Sequence, residues 1–159
     1  MKVTIIAVGK IKEKFFRDAI AEYVKRLSRY CKPEIVQVDD EKTPDKAGAS
    51  LEKEIKRKEA ERILKHVRED AFVIVLDIQG KAYDSEDFAR EIDRLATMGI
   101  SHIQFVIGGS LGLHDEVKEK ADLMVSFSKM TFPHQLMRVI LLEQVYRAYR
   151  IINGEPYHK

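Results

Sequence analysis

One cysteine, Cys31, four prolines and no tryptophan occur among the 159 residues. A lone thiol makes neither an intramolecular disulfide nor a cysteine-based zinc site within one chain, a pattern that fits a reducing, cytoplasmic home. Long apolar runs are missing as well. Val3-Thr4-Ile5-Ile6-Ala7-Val8 ends at Gly9-Lys10, too short to cross a bilayer and without a small-residue cleavage site, so no membrane partner is expected. His66, His102, His114, His134 and His158 fall at no metal-ligand spacing and have no cysteine partner, so no metal is expected. There is no P-loop, and the glycine segment at Gly108-Gly109 lacks the G-x-G-x-x-G spacing and follows the fourth strand of the chain, which leaves a Rossmann dinucleotide site unsupported. No Ser/His/Asp constellation follows from spacing, and Asp39-Asp40-Glu41 reads as a solvated strand end, so nucleophilic hydrolysis has no support either.

The net charge is only +2, but its distribution is uneven. Residues 1–32 carry nine Lys/Arg against three acids, residues 33–128 fourteen against twenty-one, and residues 129–159 five against two. Two basic ends flanking an acidic middle suit convergence on a phosphate backbone, and equally a plain solvated surface.

The length and a 45% apolar composition support one compact domain over 1–159. A first strand at 2–8 is followed by a helical stripe of Phe16, Ala19, Ile20, Tyr23, Leu27 and Tyr30. Alternation predicts a second strand over 34–38, and turn formers at 43–48 lead into a charged helix at about 50–67. Phe72-Val73-Ile74-Val75-Leu76-Asp77 is a continuous apolar run, expected of a central parallel strand covered on both faces. Ser85 is expected to cap a helix to about Met98; strands at 102–107 and 123–127 bracket a short helix near 115–120. Alternating strands and helices predict an α/β fold, a mostly parallel sheet with helices on both faces. The last helix, from Pro133 to about Tyr149, is apolar nearly all round, which points to a second copy covering it, or to burial within one subunit.

Ligands of open α/β sheets bind at the carboxyl ends of strands, here Leu76-Asp77, Gly108-Gly109 and Phe127-Ser128. Gly108-Gly109 permits close backbone approach to a ligand and is equally an ordinary turn. Phe127, Met130 and Phe132 suit the walls around a flat heterocycle, with Ser128, Thr131 and main-chain groups on its edge; core packing explains the same residues as well. The tail Tyr157-His158-Lys159 combines an aromatic ring, an imidazole and a cation, able to reach a neighbouring site or to remain a disordered terminus.

Taken together, Val106-Ile107-Gly108-Gly109-Ser110-Leu111-Gly112, Ser126 through Gln135 and Tyr157-His158-Lys159 resemble the SPOUT-class pseudouridine N(3)-methyltransferases, over essentially the whole chain. The resemblance implies a SPOUT fold with a C-terminal trefoil knot over about 72–159, a homodimer, S-adenosylmethionine as cofactor, and methylation of N(3) of a pseudouridine in 23S ribosomal RNA of the assembled ribosome. It implies cofactor contacts at Leu76, Gly108, Phe127, Ser128, Lys129, Met130, Thr131 and Phe132, and a tail, Tyr157-His158-Lys159, that completes the RNA site of a partner subunit. Lys159 stands where the family often has arginine, a point charge in place of a planar fork. Methyl transfer to an imide nitrogen calls for a base, or for a cation near the developing anion. His158 with Tyr157 is the first candidate, and Arg138, Lys129 and Lys159 are candidates for phosphate contact. Two rival readings are a non-catalytic ribosome-binding factor and a flavodoxin-like nucleotide-binding module.

Overall fold

The β-branched apolar runs pair side by side because the inner ones are apolar on both faces and need covering twice. In a computed structural model, which describes residues 1–159, they form strands β1 (Lys2–Val8), β2 (Lys32–Val38), β3 (Phe72–Ala82), β4 (His102–Ile107) and β5 (Leu123–Ser126). Helices α1 (Lys14–Leu27), α2 (Ala49–Leu64), α3 (Ser85–Thr97), α4 (Asp115–Glu119) and α5 (His134–Ile152) alternate with them. The sheet order is β2-β1-β4-β3-β5. Every pairing is parallel, so the expected mostly parallel sheet is wholly so. Pro33 sits in the edge strand β2, where a missing N–H costs no ladder bond inside the sheet.

Two cores lie on opposite faces. On one, α1, α3 and α5 bring Leu27, Phe88, Ile92, Leu95, Leu141, Leu142 and Val145 onto Ile5, Ile74, Ile103 and Phe105. On the other, α2 and α4 bring Ile63 and Val117 onto Ile6, Val8, Val75 and Val106. Burying a side chain of this size stabilises by roughly 1.5–3 kcal/mol each, so the two faces together supply most of the drive to fold.

Two local expectations need correction. The cap of α3 is Asp84, whose carboxylate accepts from the Asp87 N–H at 2.6 Å, while the Ser85 hydroxyl donates instead to Gln144 of α5 at 2.7 Å. Strand β3 runs five residues past Asp77, its pairing to β5 shifting register between Leu76 and Lys81. Gly80 makes the shift feasible: a Cβ there would sit 2.6 Å from the backbone of Met124 and Val125. The bulged segment thereby stands over the carboxyl edge of the sheet, where the cavity described next opens.

Candidate functional site

The carboxyl ends of β3, β4 and β5 do converge. They enclose a cavity of about 350 Å³ whose lining includes Leu76, Gly108, Phe127, Ser128, Met130 and Phe132. The chain then leaves β5 at the sheet edge and crosses to β1, where α5 begins beside Gly9, so His134 and Met137 complete the wall. Gly108 carries no side chain for a packing reason: a Cβ would stand 2.9 Å from both Gly112 carbonyl carbon and Leu113 Cγ. The loop is thus folded tightly on itself with its main chain bared to the cavity.

Lys129 and Thr131 do not line it. Both side chains are exposed, as most of the Met130 side chain between them is, so a contact from either to a ligand in the cavity would come from the main chain. Ser128 shapes the loop, its hydroxyl accepting from the Met130 N–H at 2.9 Å and its carbonyl accepting from the Ser126 hydroxyl at 3.2 Å. Phe127 packs edge-on against Phe88 at 5.9 Å, tying this wall to the core. Phe127 and Phe132 also face a second hollow of about 340 Å³, shared with Tyr83, Ser85, Ile140 and Gln144. They are therefore a partition with a space on each side.

Sequence reasoning placed Asp77 at a ligand-binding strand end but missed Lys118, His134 and Lys56, and all four are on the cavity wall. Burial alone would raise the Asp77 carboxyl, but the Gln79 N–H at 3.1 Å and Lys118 Nζ at 2.9 Å hold it below the usual range. Burial and the charge of Arg138 push the His134 imidazole down, so the ring is neutral near pH 7, and its Nδ1 is buried without a hydrogen-bond partner. Glu59, on α2 behind Gly109, is pushed up by burial, while its Oε2 accepts from the Glu41 N–H at 3.0 Å.

Arg138 is not a phosphate contact. It is 1% exposed, and its guanidinium donates to Gln37 Oε1 at 3.0 Å, the Val8 carbonyl at 2.9 Å and the Gly9 carbonyl at 2.6 Å. Burial pushes it down to about 10, yet it stays a cation at neutral pH. Its work is to fasten α5 to the end of β1.

The tail is ordered and folds back on its own α5. Glu155 accepts from Arg150 at 2.5 Å and from the Tyr30 hydroxyl at 2.9 Å, anchoring the turn. The Tyr157 hydroxyl donates to Glu143 at 3.0 Å, and burial together with that bond pushes it up to about 12. Its ring lies under Arg147, 4.7 Å from the guanidinium. Arg147, held by Glu143, donates to His158 Nδ1 at 3.1 Å, while His158 Nε2 lies 3.7 Å from Glu86. Since an arginine only donates, Nδ1 must accept and the neutral ring carries its proton on Nε2. Lys159 is exposed. None of Tyr157, His158 and Lys159 lines the cavity of its own chain.

The residues fit an adenosine-bearing ligand: apolar and aromatic walls, a bared glycine main chain, and a volume within the range of small-molecule sites. The family model described as "Predicted SPOUT methyltransferase" matches residues 1–158. "Ribosomal RNA large subunit methyltransferase H" of Bifidobacterium adolescentis is 65% identical, and that of Clostridium botulinum 60% identical, each over 100% of both chains. A solved structure, "a probable methylase family protein" from Haemophilus influenzae Rd KW20, shares the fold at a TM-score of 0.55 and 14% identity, over 99% of this chain and 70% of its own. With its fold, its cavity and its full length in agreement, the chain belongs to the SPOUT methyltransferase family.

Proposed function

We propose that the protein is a single-domain, S-adenosylmethionine-dependent methyltransferase that methylates N(3) of a pseudouridine in 23S ribosomal RNA, acting as a cytoplasmic homodimer on the assembled ribosome. The observation that carries this reading is the meeting of Leu76, Gly108, Phe127, Ser128, Met130 and Phe132 on one cavity. Full-length likeness to relatives named for the large-subunit RNA supports the substrate class. Bound in the cavity, the cofactor supplies an electrophilic methyl group. The protein's own share is alignment and electrostatics. Leu76, Phe127 and Phe132 hold the adenine, and the Gly108 loop offers it main-chain groups. The acceptor nitrogen loses its imide proton to solvent water, and His158, held by Arg147, which Glu143 holds in turn, presents Nε2–H to the anion that this leaves until the nitrogen takes the methyl group. Tyr157 fixes the tail in that posture. Exposed Lys129 and Lys159 meet phosphate.

The homodimer is supported by α5. Its Leu136, Val139 and Ile140 remain half-buried and lie outside the chain's own core clusters, so a second copy seated there would shield them and bring its tail to the cavity. The knotted threading over about 72–159 belongs to the same proposal, supported by the crossing from edge strand β5 to the end of β1. Light scattering at micromolar concentration is expected to give a dimer mass, and calorimetry is expected to show S-adenosylmethionine binding. A stable monomer would refute the dimer, and a protein that binds no S-adenosylmethionine would be the non-catalytic ribosome-binding factor.

A further inference from the structure

The cavity has two chemically different ends. It spans the carboxyl ends of the neighbouring strands β5, β3 and β4 and reaches His134, which lies beside Gly9 at the end of β1. Toward β5 and β3 the walls are Leu76, Val125, Phe127 and Phe132, and the cation there, Lys118, is already neutralised by Asp77 at 2.9 Å. Toward the end of β4 and the start of α5 the wall includes Gly109, His134 and Lys56.

Lys56 differs from its helical neighbours. Arg57 is engaged by Glu54 and Glu61, both at 2.6 Å, whereas Lys56 lies within 4.0 Å of no carboxylate oxygen and makes no side-chain hydrogen bond. It is half-buried on the cavity wall, not splayed into solvent. Neither acid a turn away on α2 pairs with it: Glu52 makes no ion pair, and Glu59, which stands against the Gly109 loop, accepts from the Glu41 N–H through Oε2 and has its carboxyl pushed up by burial, while Asp40 is exposed beside Gly9 and His134. The same end also holds the start of α5, which has no acidic residue in its first turn and no side-chain cap. A half-buried cation without a counter-ion, inside a built cavity, is a place for a ligand's negative charge.

We propose that Lys56 recognises the carboxylate at the amino-acid end of the cofactor, and so selects a sulfonium ligand that carries this group over one that lacks it. The assignment rests on the S-adenosylmethionine reading above. It follows from polarity: the adenine and the carboxylate are the two extremities of that molecule, one flat and weakly polar, the other anionic. The cavity presents an aromatic end and an unpaired cation in the same order. An RNA phosphate is the competing anion, but it would have to enter the cavity alongside the cofactor.

Calorimetry on the full-length protein tests this with two ligands, S-adenosylmethionine and its decarboxylated form, against wild type, Lys56→Met and Lys56→Arg. Wild type is expected to prefer the carboxylate-bearing ligand by about tenfold or more, the usual worth of a charge-assisted hydrogen bond. Lys56→Met should bring that ratio close to one by weakening only S-adenosylmethionine, and Lys56→Arg should keep most of it. A Lys56→Met protein with the full preference overturns the assignment, as does a wild type that binds both ligands equally. If Lys56→Met keeps the preference but loses affinity for ribosomal particles, the lysine serves RNA, and the proposal is wrong. Wild type binding neither ligand would instead remove the cofactor reading on which the proposal stands.

Discussion

Replacing His158 by Ala is expected to lower methyl transfer about 100-fold, at the lower end for loss of a proton-handling group, with S-adenosylmethionine affinity nearly unchanged. The second half follows because β3, β4, β5 and the start of α5 wall the cofactor cavity without any tail residue, so the cofactor's contacts are complete before a partner's tail arrives. The first half follows from its hydrogen bonds. Arg147 occupies Nδ1, so the ring proton stays on Nε2 and His158 enters the reaction as a donor toward the developing anion. That assignment separates two variants. His158→Gln still presents an N–H and should recover a good part of the lost rate, whereas a general base would not be replaced by an amide. Turnover unchanged in His158→Ala would remove the residue from the mechanism. A glutamine variant as slow as the alanine one would restore the base role.

Arg138→Ala is expected to cost about 3 kcal/mol of stability, read as a lower urea midpoint with an unchanged slope. Truncation leaves a hole in a fully buried site and strips a donor from the Gln37 side chain and from the Val8 and Gly9 carbonyls. The burial of an arginine with only neutral partners also costs solvation, which offsets part of the gain from its three bonds. Arg138→Lys should recover little, because one ammonium does not span Gln37 and two carbonyls in the way a planar fork does. Cofactor binding should weaken along with stability, since His134 and Met137 on the cavity wall belong to the same first turns of α5. A variant as stable as wild type but weaker for RNA would return Arg138 to the substrate surface.

That arginine shows where sequence reasoning succeeds and where it stops. All strands and helices were legible, because apolar runs of strand length alternate with stripes of helical spacing, and the three strand ends that form the cavity follow from the sheet rule alone. A cation in a largely apolar helix reads as surface, as Arg147 and Arg150 of the same helix do. Yet Leu141 and Leu142 stand three and four residues on from Arg138, on the face that packs into the core, and that was the available signal for its burial. The extension of β3 past Asp77 was hidden because Ile78-Gln79-Gly80-Lys81-Ala82 has no apolar run, and its pairing depends on a close backbone approach at Gly80. Lys129 and Thr131 lie in the motif but are exposed, because the crest of the loop at 129–131 stands out into solvent while Phe127 and Phe132 at its two feet face the cavity. Lys56 could not be found at all: amid the charges of α2 nothing marks one lysine as unpaired until the fold sets it against the Gly109 loop.

The most direct measurement is transfer of a tritiated methyl group from S-adenosylmethionine to intact ribosomes, free large subunits and naked 23S RNA by the same protein preparation. The proposal predicts incorporation into intact ribosomes, at N(3) of a pseudouridine, with far less into naked RNA. The modest net charge of +2 supports that order, because it offers little non-specific hold on a bare phosphate backbone. Incorporation into none of the three would contradict the account.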